Sequence, residues 1–166
     1  LLDQFARLAR ETMPTFITME NVPGLAERSV FKNFLQTLNL LNYHTTFRFV
    51  QCEEYGIPQQ RMRLVLMASK LDVVRLLSPY EFGGQTKTVR QAIGDLQRLA
   101  VGQADINDPL HWCAKLSDRN MQRIKASRPG GTWRDWPEDL ICECHKRETG
   151  KTYPGVYGRM SWDKPS

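Results

Sequence analysis

Apolar residues recur at helical spacing over the first eleven positions (Leu1, Phe5, Leu8, Ala9), which predicts an amphipathic helix closed by Met13-Pro14. Phe16 to Met19 is a short apolar run and predicts a buried strand, with Glu20-Asn21-Val22-Pro23-Gly24 following at once. Ser29 is suited to cap a second helix that ends near Asn42, with Val30, Phe31, Phe34, Leu35, Leu38 and Leu41 on its buried face. Thr46 to Val50 is rich in β-branched and aromatic residues and reads as a strand. Leu64 to Ala68 reads as another buried strand, reached through a polar stretch that Gly56 and Pro58 interrupt. The connection between these two strands is too short for a helical crossover, so they are expected to be antiparallel. The order helix, strand, helix, strand, loop, strand fits half of a layered α/β domain.

The pattern changes after Leu71–Leu77, itself a short helix candidate. Ser78-Pro79 and Gly83-Gly84 mark a boundary, so residues 1–82 and 83–166 are expected to form separate regions. In the second, Val89 to Leu99 reads as a helix, Gln103 to Pro109 as a loop, and Ser117 as the cap of a helix over 118–126. Two glycine-bearing loops follow, Arg128 to Pro137 and Tyr153 to Trp162, each carrying arginine and tryptophan. In a small loop-rich domain the tryptophans are expected to build the core. Arg128, Arg134 and Arg159 are expected at the surface, in reach of nucleic-acid phosphates. No internal repeat or low-complexity segment is present.

Charge sharpens this division. The chain of 166 residues carries a net +5. Residues 1–110 hold 12 basic and 11 acidic side chains, and residues 111–166 hold 11 and 7. A basic, aromatic-bearing second part beside a near-neutral first part hints at a polyanionic partner. No apolar run is long enough to span a bilayer and no signal-peptide pattern opens the chain, so no membrane partner and a cytoplasmic location are expected. The chain starts on Leu1 inside a helical pattern and stops at Pro165-Ser166, which reads as a piece of a longer protein. Cys52, Cys113, Cys142 and Cys144 suggest no disulfide framework. Cys142-x-Cys144-His145, with His111-x-Cys113 upstream, could be read as a metal site, but zinc more often takes Cys-x-x-Cys, and no metal is expected.

The candidate chemistry lies in two stretches. Glu20 falls just past a predicted strand, where ligands collect in open α/β sheets, though Pro23-Gly24 would also explain a turn there. Arg61 and Arg63 enter the Leu64 strand two residues apart and share a face if extended. Such a pair suits phosphate or carbonyl oxygens, yet spacing alone favours two surface arginines capping a strand.

Taken together, three stretches resemble the DNA (cytosine-5) methyltransferase family. Phe16-Ile17-Thr18-Met19-Glu20-Asn21-Val22 is similar to its strand ending in Glu-Asn-Val. Tyr55-Gly56-Ile57-Pro58-Gln59-Gln60-Arg61-Met62-Arg63 resembles its Gln-x-Arg-x-Arg motif. Val156 to Ser166 looks like the approach to the late motif that closes its target-recognition region, in the manner of one bacterial branch. The resemblance implies an α/β fold: the C-terminal half of a Rossmann-like S-adenosylmethionine-dependent methyltransferase sheet over 1–82, then an irregular target-recognition domain over 83–166. It implies methyl transfer from S-adenosylmethionine to C5 of a cytosine flipped out of double-stranded DNA. Glu20 would hold the base at N3 and the exocyclic amine, in a sheltered site. Arg63 would reach the O2 side of the base, Arg61 would support the loop and a nearby phosphate, and Asn21 and Gln59 would brace the site.

The departures from the family pattern carry equal weight. No cysteine stands in a Pro-Cys-Gln context and no Phe-x-Gly-x-Gly loop is present, so neither the nucleophile nor a cofactor-binding residue is assigned within the chain. The chain alone is expected to be inactive, completed by missing N- and C-terminal parts of the same enzyme or by a complementing subunit. The alternative is a non-catalytic DNA-binding subunit or half of a split methyltransferase.

Overall fold

The computed structural model describes residues 1–149 and 158–166. The chain divides into two compact units, Leu1–Thr86 and Lys87–Ser166.

The first unit is a three-stranded sheet with two helices packed on one face. Helix α1 spans Leu2–Thr12 and ends at Met13, which takes a left-handed conformation before Pro14. Strand β1 is Phe16–Asn21, helix α2 is Ser29–Leu40, and strand β2 is His44–Gln51. Strand β3, Met62–Ser69, lies between the other two and is antiparallel to both. β1 and β2 therefore run parallel, as a β-α-β crossover through α2 requires, with a gap that β3 fills. Alternation along β3 sends Leu64, Leu66 and Ala68 into the core with Ile17 of β1, Ala6 and Ala9 of α1, and Phe31, Phe34 and Leu38 of α2. Phe5 stacks on Phe34 at 5.3 Å, joining the two helices. The antiparallel pairing of β2 and β3 is as expected.

Several boundaries differ from the sequence reading. β1 runs on through Glu20 and Asn21 because β3 offers them Val65 and Leu64 as ladder partners. It is buried only at Ile17, since its other face is open. α2 starts from an extended Arg28, so Ser29 is its first helical residue and caps nothing with its side chain. The helix also buries Thr37, whose hydroxyl accepts from Arg10 Nη2 at 3.0 Å. Leu71–Leu77 is no helix. The Thr46 hydroxyl donates to the Val74 carbonyl at 2.6 Å, Arg48 Nη1 to that of Leu76 at 3.4 Å, and the Tyr55 hydroxyl to that of Leu77 at 2.7 Å. Carbonyls engaged in this way hold the segment extended along the sheet instead of closing helical bonds. Helix α3, Pro79–Phe82, follows, capped by Ser78 and Glu81 in a reciprocal capping box.

The second unit is built mostly of loops and short turns. Helix α4 is Val89–Ile93, capped by Thr88 and Gln91. It stops at Gly94, well short of the expected Leu99, because glycine lowers helix propensity by about 1 kcal/mol. Its first free N–H groups are taken by the end of the chain: Val89 donates to Lys164 O at 3.0 Å and Arg90 to Trp162 O at 2.8 Å. Helix α5, Asp118–Ala126, is capped by Ser117 as expected. Helix α6 is a single turn, Glu143–Lys146. Trp133, Trp136 and Leu140 form the small core with Ala126, Ile141 and Cys142 packed against it. Trp133 and Trp136 thus take the core role expected of them, whereas Trp162 of the last loop is 43% exposed and does not. Tyr153 to Tyr157 of the last aromatic loop lie outside the described residues.

Candidate active site

β1 and β3 bring the two motif stretches onto one sheet face. Glu20 sits opposite Val65, and Arg63 lies two positions along β3 on the same face, so the two side chains are diagonal neighbours. Arg63 Nε is ion-paired with Glu20 Oε1. Arg63 Nη1 also donates to the Met62 carbonyl at 2.8 Å. The arginine side chain is 14% exposed and the carboxylate 59% exposed. A central strand therefore fixes the guanidinium, while the carboxylate reaches into the open. The sheltered setting implied for Glu20 is not formed by the described residues.

Asn21 and Gln59, expected to brace the site, lie at the end of β1 and in the turn that precedes β3. Asn21 Oδ1 accepts from the Val22 N–H at 2.8 Å and starts the turn into the 3-10 segment Pro23–Glu27. Gln59 N donates to Ile57 O at 2.7 Å in the turn that follows Gly56, itself left-handed at φ 79°. Arg61 is exposed just before β3, and its carbonyl accepts from Cys52 N at 2.9 Å. The structure thus unites Glu20 with Arg63 and places Arg61 at the rim. A guanidinium beside a carboxylate offers donors and an acceptor side by side, the pattern needed to hold the polar edge of a planar heterocycle.

Arg128, Arg134 and Arg159 are all exposed. Two of the three belong to one loop pair. Gly130 N donates to Arg159 O at 2.7 Å, Arg159 N donates to Gly131 O at 3.1 Å, and Arg159 Nη1 reaches Ser127 O at 3.4 Å. Arg134 lies over the Trp133 ring at 5.6 Å. The sequence predicted their exposure but not this pairing, which joins segments separated by the undescribed stretch.

Two further features lie outside these stretches, a cleft that the sequence did not reveal and a cysteine-histidine group that it raised as a possible metal site and set aside. One is a cleft of about 390 Å³ between the sheet and the extended 71–77 segment, lined by Thr46, Arg48, Val65, Met67, Arg75 and Glu81 among others. The Arg75 guanidinium and the Ser78 amide and hydroxyl hold the Glu81 carboxyl down at about 2. The other is the approach of Cys142, Cys144 and His145, whose ligand atoms all lie within 4.8 Å of one another. His111 and Cys113 are not part of that group. His111 Nδ1 instead faces Asp105 Oδ2 at 3.4 Å.

The turn after β1 does not fit S-adenosylmethionine. It passes through Pro23 into a 3-10 segment, and a Cβ on Gly24 would meet nothing within 4 Å, so no backbone cradle closes around a ligand there.

The sequence model of the family described as C-5 cytosine-specific DNA methylase matches residues 1–164. The type II methylase M.HgiDII of Herpetosiphon aurantiacus is 48% identical over 99% of this chain and 47% of its own length. The type II methyltransferases M.Eco47II of Escherichia coli and M1.BsuMI of Bacillus subtilis are each 29% identical over all of this chain and 40% and 38% of their own. The chain spans less than half the length of these relatives. A family match over nearly its whole length shows that the chain belongs to the C-5 cytosine-specific DNA methylases.

Proposed function

We propose that this chain supplies the base-holding side of the active site and most of the DNA-recognition region of a cytosine-5 DNA methyltransferase. The observation that carries this reading is the Glu20–Arg63 ion pair, which joins the Glu-Asn-Val and Gln-x-Arg-x-Arg stretches on one sheet face. C5 of cytosine is a poor nucleophile, and a thiolate adding at C6 makes it reactive. Glu20 holds N3 and the exocyclic amine and favours protonation at N3 as that addition proceeds. Arg63 donates to the O2 side of the ring, stabilising charge that develops there. Arg61, at the rim, supports the loop and a flanking phosphate, while Asn21 and Gln59 set the turns. Arg128, Arg134 and Arg159 contact the duplex backbone. S-adenosylmethionine supplies the methyl group, from a site formed outside these residues.

Neither a Pro-Cys-Gln nucleophile nor a glycine-rich loop stands in the sequence, so the isolated chain binds DNA without methylating it. The test mixes the purified chain with tritiated S-adenosylmethionine and duplex DNA, alone and with a polypeptide carrying the first half of a relative such as M.HgiDII. Label appearing in DNA only in the mixture supports the reading. Label incorporated by the chain alone overturns it.

A further inference from the structure

The group formed by Cys142, Cys144 and His145 belongs to the second unit, and nothing in the proposed chemistry uses it. We propose that it binds one zinc ion through two thiolates and one imidazole. Cys142 precedes the α6 turn, and the His145 N–H donates to the Cys142 carbonyl at 2.8 Å. This closes a turn that brings positions 142 and 145 to the same side, with Cys144 between them in sequence. The three ligand atoms lie within 4.8 Å of one another. Tetrahedral zinc, with bonds of about 2.3 Å to sulfur and 2.0–2.1 Å to nitrogen, sets ligand separations near ~3.5–3.8 Å. Closure therefore requires movements on the order of 1 Å.

Two further observations favour a built site over chance proximity. His145 is buried, and its ring stacks on Trp133 at 4.6 Å with planes 7° apart, so the imidazole orientation is fixed by the core. Cys142 packs against that same core, whereas Cys144 is exposed and leaves the site open to an ion from solvent. The donor set is soft sulfur plus imidazole, which selects zinc over the oxygen-seeking magnesium and calcium. Two thiols lose their protons on binding, so zinc plus two thiols gives the dithiolate complex and two released protons, with no change of oxidation state. Three protein ligands leave a fourth position for water. The ion would lock the α6 turn that carries His145, whose ring stacks on Trp133 of the core.

Cobalt(II) is the probe, added to the purified chain under reducing, anaerobic conditions. One equivalent should produce the visible bands of tetrahedral cobalt with a thiolate-to-cobalt charge-transfer band, and zinc(II) should abolish both. Cys144→Ser alters an exposed side chain and should weaken binding at least about tenfold. Cys52→Ser and Cys113→Ser should leave binding unchanged, which separates a folded site from loose capture by four thiols in an unfolded chain. Zinc should also raise the melting temperature of the wild-type chain but not of Cys144→Ser. The proposal is overturned if no charge-transfer band forms, if Cys144→Ser binds as well as wild type, or if Cys113→Ser weakens binding equally.

Discussion

Arg63 and Glu20 stand on adjacent antiparallel strands, and their ion pair is asymmetric: the guanidinium is mostly enclosed and the carboxylate mostly open. The arginine is thus the enclosed partner and the carboxylate the open one, and in the proposed reading both meet the base. On the proposed reading, Arg63→Ala and Glu20→Ala in an active methyltransferase containing this chain should each lower kcat by about 10²–10³, the usual loss when one positioned electrostatic partner is removed. Arg63→Lys should not restore the rate, since a point charge cannot reproduce the planar donor fork. Single-turnover methyl transfer, measured beside DNA affinity, checks this. A DNA affinity that falls as much as the rate would place both residues in binding instead.

Tyr43 joins the end of α1 to the start of β2. Its ring is buried in the sheet–helix core and its hydroxyl donates to the Pro14 carbonyl. Burial raises its pKa above the ordinary 10, so the phenol stays protonated and donating throughout the neutral range. Tyr43→Phe keeps the packing but leaves that carbonyl without this donor, at a cost of about 1–2 kcal/mol. Urea unfolding should show a lower midpoint with an unchanged slope.

What could be read from the sequence follows from where each segment finds its partners. β3 is legible because Leu64, Leu66 and Ala68 meet one local surface, while in α1 Phe5 and Ala9 pack as read but Leu1 and Leu8 are exposed and Ala6 is buried instead. α5 is equally plain, since Ser117 caps it locally. The 71–77 segment was not legible, because its carbonyl partners are the side chains of Thr46, Arg48 and Tyr55, remote in sequence. The end of β1 was misplaced for a similar reason: Glu20 stays in the strand only because β3 returns beside it. At the site, spacing alone left Arg63 a surface residue. Only the motif resemblance joined it to Glu20, and the sheet register gives that pairing a physical basis.

Acid should loosen the 71–82 segment before the sheet itself. Glu81 accepts from both Arg75 and Ser78, which hold its carboxyl at about 2 against an ordinary 4.5. A depressed carboxylate contributes stability that is fully present above about pH 4.5 and is lost as pH falls towards 2. Glu81→Gln should therefore melt below wild type at neutral pH, by a modest margin because the pair is largely exposed. The two melting temperatures should converge as pH approaches 2. Thermal scans across that range decide it, and a gap that persisted at pH 2 would assign the effect to capping geometry and not to charge.

In the second unit the corresponding test falls on Ser127 and Trp136. Ser127 is buried after the end of α5, where its hydroxyl donates to Arg123 O at 3.0 Å and accepts from Trp136 Nε1 at 2.8 Å. One hydroxyl thus links the helix end to the core tryptophan, and Arg123 adds a contact over the same ring at 5.9 Å. Ser127→Ala removes the hydroxyl and leaves the buried indole N–H without this acceptor, costing about 1–3 kcal/mol. Trp136→Phe deletes the N–H as well, but shrinks a side chain packed in the core beside Trp133 and Leu140, so its loss should be at least as great. Tryptophan fluorescence and hydrogen exchange of the α5 amides report on this unit directly. Ser127→Ala should speed exchange at the C-terminal end of α5 while leaving the β3 amides protected. If β3 exchange rose in parallel, the two units would unfold together and the hydroxyl's effect would not be local.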